Sequence, residues 1–306
     1  MAEASTLDGV IVVAKEPGPT SHDIVGLVRR LTGVRRVGHG GTLDPFAGGV
    51  LPVFVGRATR LVEYHLGDAK EYRAVVAFGA RSRTDDLSGE LTRSGAPAPS
   101  RVDVEAALAG FRGSIEQTPP DYSAVRVAGR KAYELARHGR KPELRPRAVT
   151  VERLELVAWD DADAERPTAN LELRCSAGTY VRALARDLGE ALGCGAYLVA
   201  LTRTASGPFR LESAHSVEEV RRALAEGRAR RVLLPPDTGL DQLPRLKLGQ
   251  AELRALAKGQ PVRTDADTGA GELPVRVFDG RGRLAAIGRA RDGWLHPEKV
   301  LQGSGD

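Results

Sequence analysis

Six polar side chains are the most available for chemistry: His39, Asp44, Tyr72, Asp86, Tyr180 and Arg182. Asp44 has the most unusual setting. It lies in Gly38-His39-Gly40-Gly41-Thr42-Leu43-Asp44-Pro45-Phe46-Ala47-Gly48-Gly49-Val50-Leu51, where five glycines surround one carboxylate, one imidazole and one proline. Pro45 fixes its own φ and biases Asp44 toward an extended conformation. The glycines permit close approaches that a Cβ forbids. A carboxylate displayed in this way can act as nucleophile, base, ligand or cap. The plainest alternative is a turn in which Asp44 accepts hydrogen bonds from nearby backbone N–H groups.

Each remaining group carries a similar pair of readings. Arg182 is either a surface helix arginine or a cation that pairs with Asp44 and favours its charged form. Tyr72 and Tyr180 are half-buried aromatics, or platforms on which a base stacks. His39 is a loop donor, or a ring that stacks on or replaces a displaced base. Asp86 caps a turn, or supplies the second carboxylate that a glycosidase-type hydrolase needs. Several chemistries find no motif. There is no G-x-x-x-x-G-K-[ST] phosphate loop and no G-x-S-x-G elbow. Gly38-His39-Gly40 lacks the third glycine of a dinucleotide fingerprint. The six histidines never fall at metal-ligand spacing. Cys175 and Cys194 are too far apart for a C-x-x-C site. No metal is expected.

Over the whole chain, 306 residues suit one large domain or two unequal ones. The net charge of +5 fits a polyanionic partner without demanding one. Its distribution says more. Arg126, Arg130, Lys131, Arg137, Arg140, Lys141, Arg145 and Arg147 face only two acids, Glu134 and Glu143, in the same stretch. Arg29, Arg30, Arg35 and Arg36 run into the glycine-rich loop. Either cluster alone suits a solvated face, but a pair beside a candidate catalytic loop favours phosphate contacts. The longest apolar runs are far short of the ~20 residues that span a bilayer, so no membrane association is expected. The acidic start, Met1 to Asp8, argues against a secretory leader. A reducing cytoplasm and a monomer are the expectation.

The elements that must position these groups follow from local pattern. Gly9 to Lys15 is a nearly continuous apolar run, expected as a buried strand. Thr20 or Ser21 caps a helix to about Leu31, with Ile24, Val25 and Val28 inward and Gly33 ending it. Leu51–Val55, Tyr72–Phe78, Ala148–Trp159, Ala169–Cys175 and Gly195–Ser206 are expected strands. Thr59–His65 and Val102–Phe111 have helical spacing. Arg83 to Gly89 has loop chemistry. The segment from Lys131 to His138 is a helix with little to bury. Gly178 to Arg182 leads into a helix striped by Leu184, Leu188 and Leu192. Turn chemistry at 233–239 marks a boundary, followed by a small β-rich region with one helix, Gly249 to Lys258. Strands and helices without regular βαβ alternation point to an α+β fold.

The ordered motifs resemble one family. The glycine-rich loop, with Gly49-Val50-Leu51 and Gly56-Arg57-Ala58-Thr59-Arg60, is similar to the active-site region of bacterial tRNA pseudouridine-55 synthases, the TruB family. Lys15 with Gly18, Thr20 and Ser21 resembles its N-terminal motif, and Lys70-Glu71-Tyr72-Arg73 its K-x-Y-x strand. Pro119 to Arg126 with Gly129-Arg130-Lys131-Ala132-Tyr133, Cys175 to Arg182, Asp187-Leu188-Gly189 and Gly193 to Ala196 continue the match. It runs from about residue 9 to 210, and more weakly through the tail. Glu16 and Gly48 depart from it, standing where the family usually has proline and Thr or Ser.

The resemblance implies a pseudouridine synthase domain over 1–236, with a central mixed or antiparallel sheet flanked by helices and a basic RNA-contacting insertion at about 124–147. A small PUA-like RNA-binding domain over 243–306 follows. The implied activity is isomerisation of uridine 55 in the T-arm loop of tRNA after base flipping, with no cofactor. Asp44 is the implied nucleophile, with Tyr72 and Arg182 beside it. Attack at C1′, attack at C6 and abstraction of a sugar proton all stay open to Asp44. His39, Tyr180, Leu201, Lys15, Arg126 and Lys131 are the implied substrate contacts. The alternative is a non-catalytic RNA-binding or tRNA-folding protein on the same scaffold.

Overall fold

The computed structural model describes residues 7–264 and 273–302. The first six residues, on which much of the expectation for the N-terminus rests, lie outside that range, as do the extreme ends of the two expected domains.

The larger part is organised on one mixed sheet. Its path runs His215–Ser216, Gly9–Lys15, Gly48–Val55, Ala196–Ser206, Lys70–Phe78, Thr168–Cys175, Arg147–Asp160 and Gly113–Gln117. The pairing of the first two is parallel, as is that of Gly48–Val55 with Ala196–Ser206. The others on the path are antiparallel. All eight residues of Gly48–Val55 are buried, because this strand is covered on both faces. Apolar residues on both faces of the pleat allow that position.

Helices cover one face. Ser21–Thr32 starts with a reciprocal cap, in which Asp23 N donates to Thr20 Oγ1 and Thr20 N donates to Asp23 Oδ2. Its Ile24, Val25 and Val28 join the main core, and Gly33 ends it in the left-handed region. Val181–Ala191 adds Val181, Leu184, Ala185 and Leu188 to the same core. The expected Thr59–His65 helix is two pieces, a 3-10 turn over Gly56–Leu61 and a single α turn over Glu63–Leu66. A helix over Val217–Ala225, not expected from the sequence, carries a Ser216/Glu219 capping box.

A second sheet orders Arg245–Lys247, Pro274–Phe278, Leu284–Arg291, Trp294–Val300 and Val262–Arg263, with helix Gln250–Ala257 packed on it. Leu234 pairs back with Val10 of the first sheet, whereas Leu240 and Leu243 pack with Phe278, Leu284 and Ile287 of the second. Arg57 donates to Leu301 O at 2.5 Å, a further tie between the two parts.

Candidate active site

The glycine-rich loop hangs between two strands that belong to the sheet. Val37–His39 pairs with Val53–Val55, and Gly48–Val55 continues beyond the loop. Gly49 has φ 106°, and a Cβ there would sit 2.2 Å from Arg203 O. Only glycine fits a positive φ and so close a backbone. The loop is therefore pressed against the neighbouring Ala196–Ser206 strand, and Arg203 on that strand reaches back to hold it. Its Nε donates to Val50 O at 2.8 Å, Nη2 to Gly41 O at 3.0 Å and Nη1 to Thr42 O at 3.3 Å. Arg203 is 1% exposed and has no carboxylate within ion-pair distance among the described residues. Backbone carbonyls solvate this buried cation in place of water.

Asp44 projects from that braced loop. Arg182 Nε donates to its Oδ2 at 2.9 Å. The two side chains differ sharply in exposure, 4% for Arg182 and 35% for Asp44. The cation is thus fixed and the anion faces solvent. Arg182 is fixed because it has other partners: Nη1 donates to Thr84 O at 2.9 Å and Nη2 to Tyr122 O at 3.0 Å. Asp86 Oδ2 lies 3.6 Å from Nη1. Asp86 does shape a turn, as Ser88 N and Thr84 Oγ1 both donate to its Oδ1. It is also buried and shares its guanidinium with Asp44, so it is the second anion of one cluster.

A cleft of about 670 Å³ opens over this cluster, within the range of small-molecule sites. Asp44, Tyr72, Tyr180, Arg182 and Leu201 all line it. Burial pushes the Tyr72 phenol up from its ordinary range, with the Arg203 cation opposing. Tyr180 precedes helix Val181–Ala191 and is clamped by the buried Gln117. Tyr180 N donates to Gln117 Oε1 at 2.8 Å, and Gln117 Nε2 donates to Tyr180 O at 3.1 Å. That pairing crosses from the edge strand Gly113–Gln117 and sets where the tyrosine enters the cleft.

Four of the expected substrate contacts stand elsewhere. Lys15 is 2% exposed, and its Nζ donates to Glu16 O, Pro19 O and Pro45 O at 3.0, 2.9 and 3.4 Å. It staples the Glu16–Pro19 turn to the residue after Asp44 and does not line the cleft. Burial lowers its pKa, and the Asp44 charge opposes that. His39 also lies off the cleft wall, at the base of the loop, where Gly41 N donates to its Nδ1 at 3.3 Å. Burial, helped by the Arg203 charge, lowers its pKa and favours the neutral ring. Arg126 and Lys131 face each other in a two-strand ribbon outside the cleft. The basic segment instead reaches the cleft through Tyr133 and Arg137, on the short helix Ala132–Arg137. Arg137 lies over the Tyr133 ring at 5.3 Å. The Gly48 departure has a local counterpart, since a Cβ there would come within 3.3 Å of Pro17 Cδ.

Arg203 and Gln117 are absent from the candidates that the sequence suggests. Arg203 lies within an apolar strand, where an arginine is unusual, and that oddity is its only signal. The arrangement offers one solvent-facing carboxylate on a buried cation, beside an aromatic ring and an apolar wall. It can present an anion to a flat, uncharged group seated in the cleft.

Comparison with known proteins finds relatives along nearly the whole chain. The family described as TruB family pseudouridylate synthase (N terminal domain) matches residues 29–181. The tRNA pseudouridylate synthase B C-terminal domain matches 182–241, and Pseudouridine synthase II TruB, C-terminal, matches 244–301. A tRNA pseudouridine synthase B of Symbiobacterium thermophilum is 50% identical over 83% of this chain and 83% of its own. One of Moorella thermoacetica is 43% identical over 96% of this chain and 99% of its own. Among solved structures, the archaeal box H/ACA sRNP Nop10-Cbf5 complex contains a chain that superposes with a TM-score of 0.71 at 25% identity, covering 99% of this chain and 89% of that one. The matches span both parts, and the chain belongs to the TruB family of pseudouridylate synthases.

Proposed function

We propose that this chain isomerises uridine 55 in the T-arm loop of tRNA, with Asp44 as the essential carboxylate. The observation that carries the reading is the asymmetric pair, a part-exposed Asp44 held at 2.9 Å by a buried Arg182 in the wall of a cleft roomy enough for a nucleoside. The reaction breaks N1–C1′, turns the base and forms C5–C1′. A proton leaves C5 and one is gained at N1, so no redox partner is needed. The target must first leave the RNA stack, at a cost of a few kcal/mol, and be held by stacking and edge contacts. Tyr72 packs on the extruded base. Its phenolate is opposed by burial and favoured by the Arg203 cation, which bears on its ability to take the C5 proton. Tyr180 and Leu201 supply the rest of the wall.

Support for RNA as partner comes from the basic segment, whose Arg137 reaches the cleft rim while Arg130 and Arg140 stay exposed. RNA loops are bound through shape, stacking and phosphate contacts. The division into a catalytic part over 1–236 and a PUA-like RNA-binding part over 243–306 belongs to the same reading, as do a monomeric state and a cytoplasmic location.

The test is tritium release from 5-labelled uridine in a T-arm stem-loop, wild type against Asp44→Asn. Release by wild type and none by the variant, with RNA binding retained, is expected. Absence of release by wild type that still binds the RNA would replace the synthase with a tRNA-binding or tRNA-folding protein. Release by the variant at the wild-type rate would remove Asp44 from the chemistry.

A further inference from the structure

Ser123 is a polar group in the cleft wall with nothing to bond. It is 4% exposed, and its Oγ has no hydrogen-bond partner among the described residues. Buried hydroxyls are nearly always paired, and one that is not calls for a reason. The other such atom, His65 Nε2, has a structural setting. Its ring packs between Phe54 and Phe209 at 5.5 and 5.2 Å, away from the cleft. Ser123 differs because it lines the cleft with Asp44, Tyr72 and Arg182.

Its surroundings hold it in place without using its hydroxyl. On one side Tyr122 O accepts from Arg182 Nη2 at 3.0 Å, so the preceding residue is tied to the guanidinium that grips Asp44. On the other, Ser123 O accepts from Tyr133 N at 3.0 Å, and Val125 O accepts from Ala132 N at 2.8 Å. Those bonds anchor the basic helix Ala132–Arg137. The backbone at Ser123 is therefore clamped between the catalytic cluster and the basic segment. One χ1 change among staggered wells redirects Oγ without moving that backbone.

The cleft has other polar side chains, but among its described residues Ser123 Oγ is the one buried polar side-chain atom without a hydrogen-bond partner. Arg182 and Arg203 direct their guanidinium bonds chiefly to protein oxygens. Leu201 is apolar. A hydroxyl both donates and accepts, which suits a uridine whose carbonyls accept, whose N3–H donates and whose 2′-hydroxyl does both.

We infer that Ser123 Oγ is a binding residue for the target nucleotide, giving to its uracil edge or 2′-hydroxyl the hydrogen bond that it lacks in the free protein. This rests on the uridine reading above.

The test compares wild type with Ser123→Ala and Ser123→Cys in the full chain. Three quantities are measured: the Tm of the free protein, the Kd for a T-arm stem-loop, and the single-turnover rate of tritium release. Ser123→Ala is expected to leave the free Tm unchanged or slightly raised, while weakening Kd or slowing the step by about tenfold. Ser123→Cys, similar in volume but a weaker donor, should fall between. A stem-loop with 2′-deoxyuridine at the target locates the bond. If the Kd penalty of Ser123→Ala persists there, the bond goes to uracil, and if it vanishes, to the 2′-hydroxyl. Values within twofold of wild type on both Kd and rate overturn the inference. So does a drop of several degrees in the free Tm, since the hydroxyl would then have its partner before RNA arrives. Wild type that releases no tritium defeats the synthase reading instead, and the Kd comparison still decides Ser123.

Discussion

Removing the Arg182 guanidinium should damage the fold far more than removing the Asp44 charge. Arg182 is 4% exposed and Asp86 6%, so the Arg182–Asp86 pair at 3.6 Å lies out of water. Arg182→Met fills much of the same volume but strands the Asp86 carboxylate and takes a donor from both Thr84 O and Tyr122 O. Breaking a buried pair on one side costs about 3–5 kcal/mol. That is a large fraction of the roughly 5–15 kcal/mol that holds a folded protein together. Asp44 is 35% exposed, and Asn in its place leaves Arg182 its bonds to Thr84 O and Tyr122 O and its Asp86 partner, so the loss should be nearer to that of exposed pairs, about 0–1 kcal/mol. Asp44→Asn should therefore leave stability almost unchanged while losing isomerisation. Adding Asp86→Asn to Arg182→Met removes the stranded charge and should recover about 2 kcal/mol, within the usual coupling of contacting residues. Urea unfolding of the four proteins, wild type included, measures all of this. Equal destabilisation by Asp44→Asn and Arg182→Met would refute the argument. A double variant no more stable than Arg182→Met would also refute it.

Other outcomes follow from the same geometry. Burial lifts the Asp85 carboxyl to about 6, with Arg186 opposing. A carboxyl raised in the fold contributes stability below its unfolded value near 3.8, and that contribution is lost as pH rises through 6. Asp85→Asn, which also tolerates the φ of 62° there, should thus gain on wild type between about pH 4 and 7, by at most about 1.4 kcal/mol per pH unit. Parallel Tm–pH curves would contradict this. Gln117→Ala removes both bonds on the Tyr180 backbone and should cost about 1–3 kcal/mol in thermal unfolding and slow tritium release. Unaltered release would mean that the clamp does not place Tyr180. Replacing Arg137 and Arg140 by Ala should weaken RNA binding and flatten its salt dependence, by about 0.7 in log–log slope for each single-strand phosphate no longer neutralised. An unchanged slope would take the basic segment off the RNA.

Local pattern accounts for most elements. The apolar run at Gly9–Lys15 is a strand with those bounds, and the helix capped by Thr20 ends at Gly33 as its glycine requires. Strand Tyr72–Phe78 begins two residues earlier, at Lys70, because pairing with Cys175 and Ser206 extends it. The helix at Val217–Ala225 is legible from Ser216-x-x-Glu219, a capping signal outside the apolar pattern that marks the other elements. The position of Lys15 off the cleft wall is not legible from its motif. Its motif suggests contact with substrate, but it ends a buried strand, and an ammonium there must find carbonyls close by.

Alone, the sequence determined that a shaped loop displays Asp44, that the chain mixes strands and helices, and which family its ordered motifs resemble. Those are matters of φ preference, spacing and local capping, which act over a few residues. Only the tertiary structure decided which arginine is buried against which oxygen. Arg182 meets Asp44 across 138 positions, and Arg203 meets Gly41 across 162. Those meetings depend on the order of strands in the sheet, where Gly48–Val55 and Ala196–Ser206 lie side by side. No local preference encodes that order. It follows from burying all of the apolar faces at once, and the same burial makes one arginine a brace for the loop and the other a fixed counter-charge for its carboxylate.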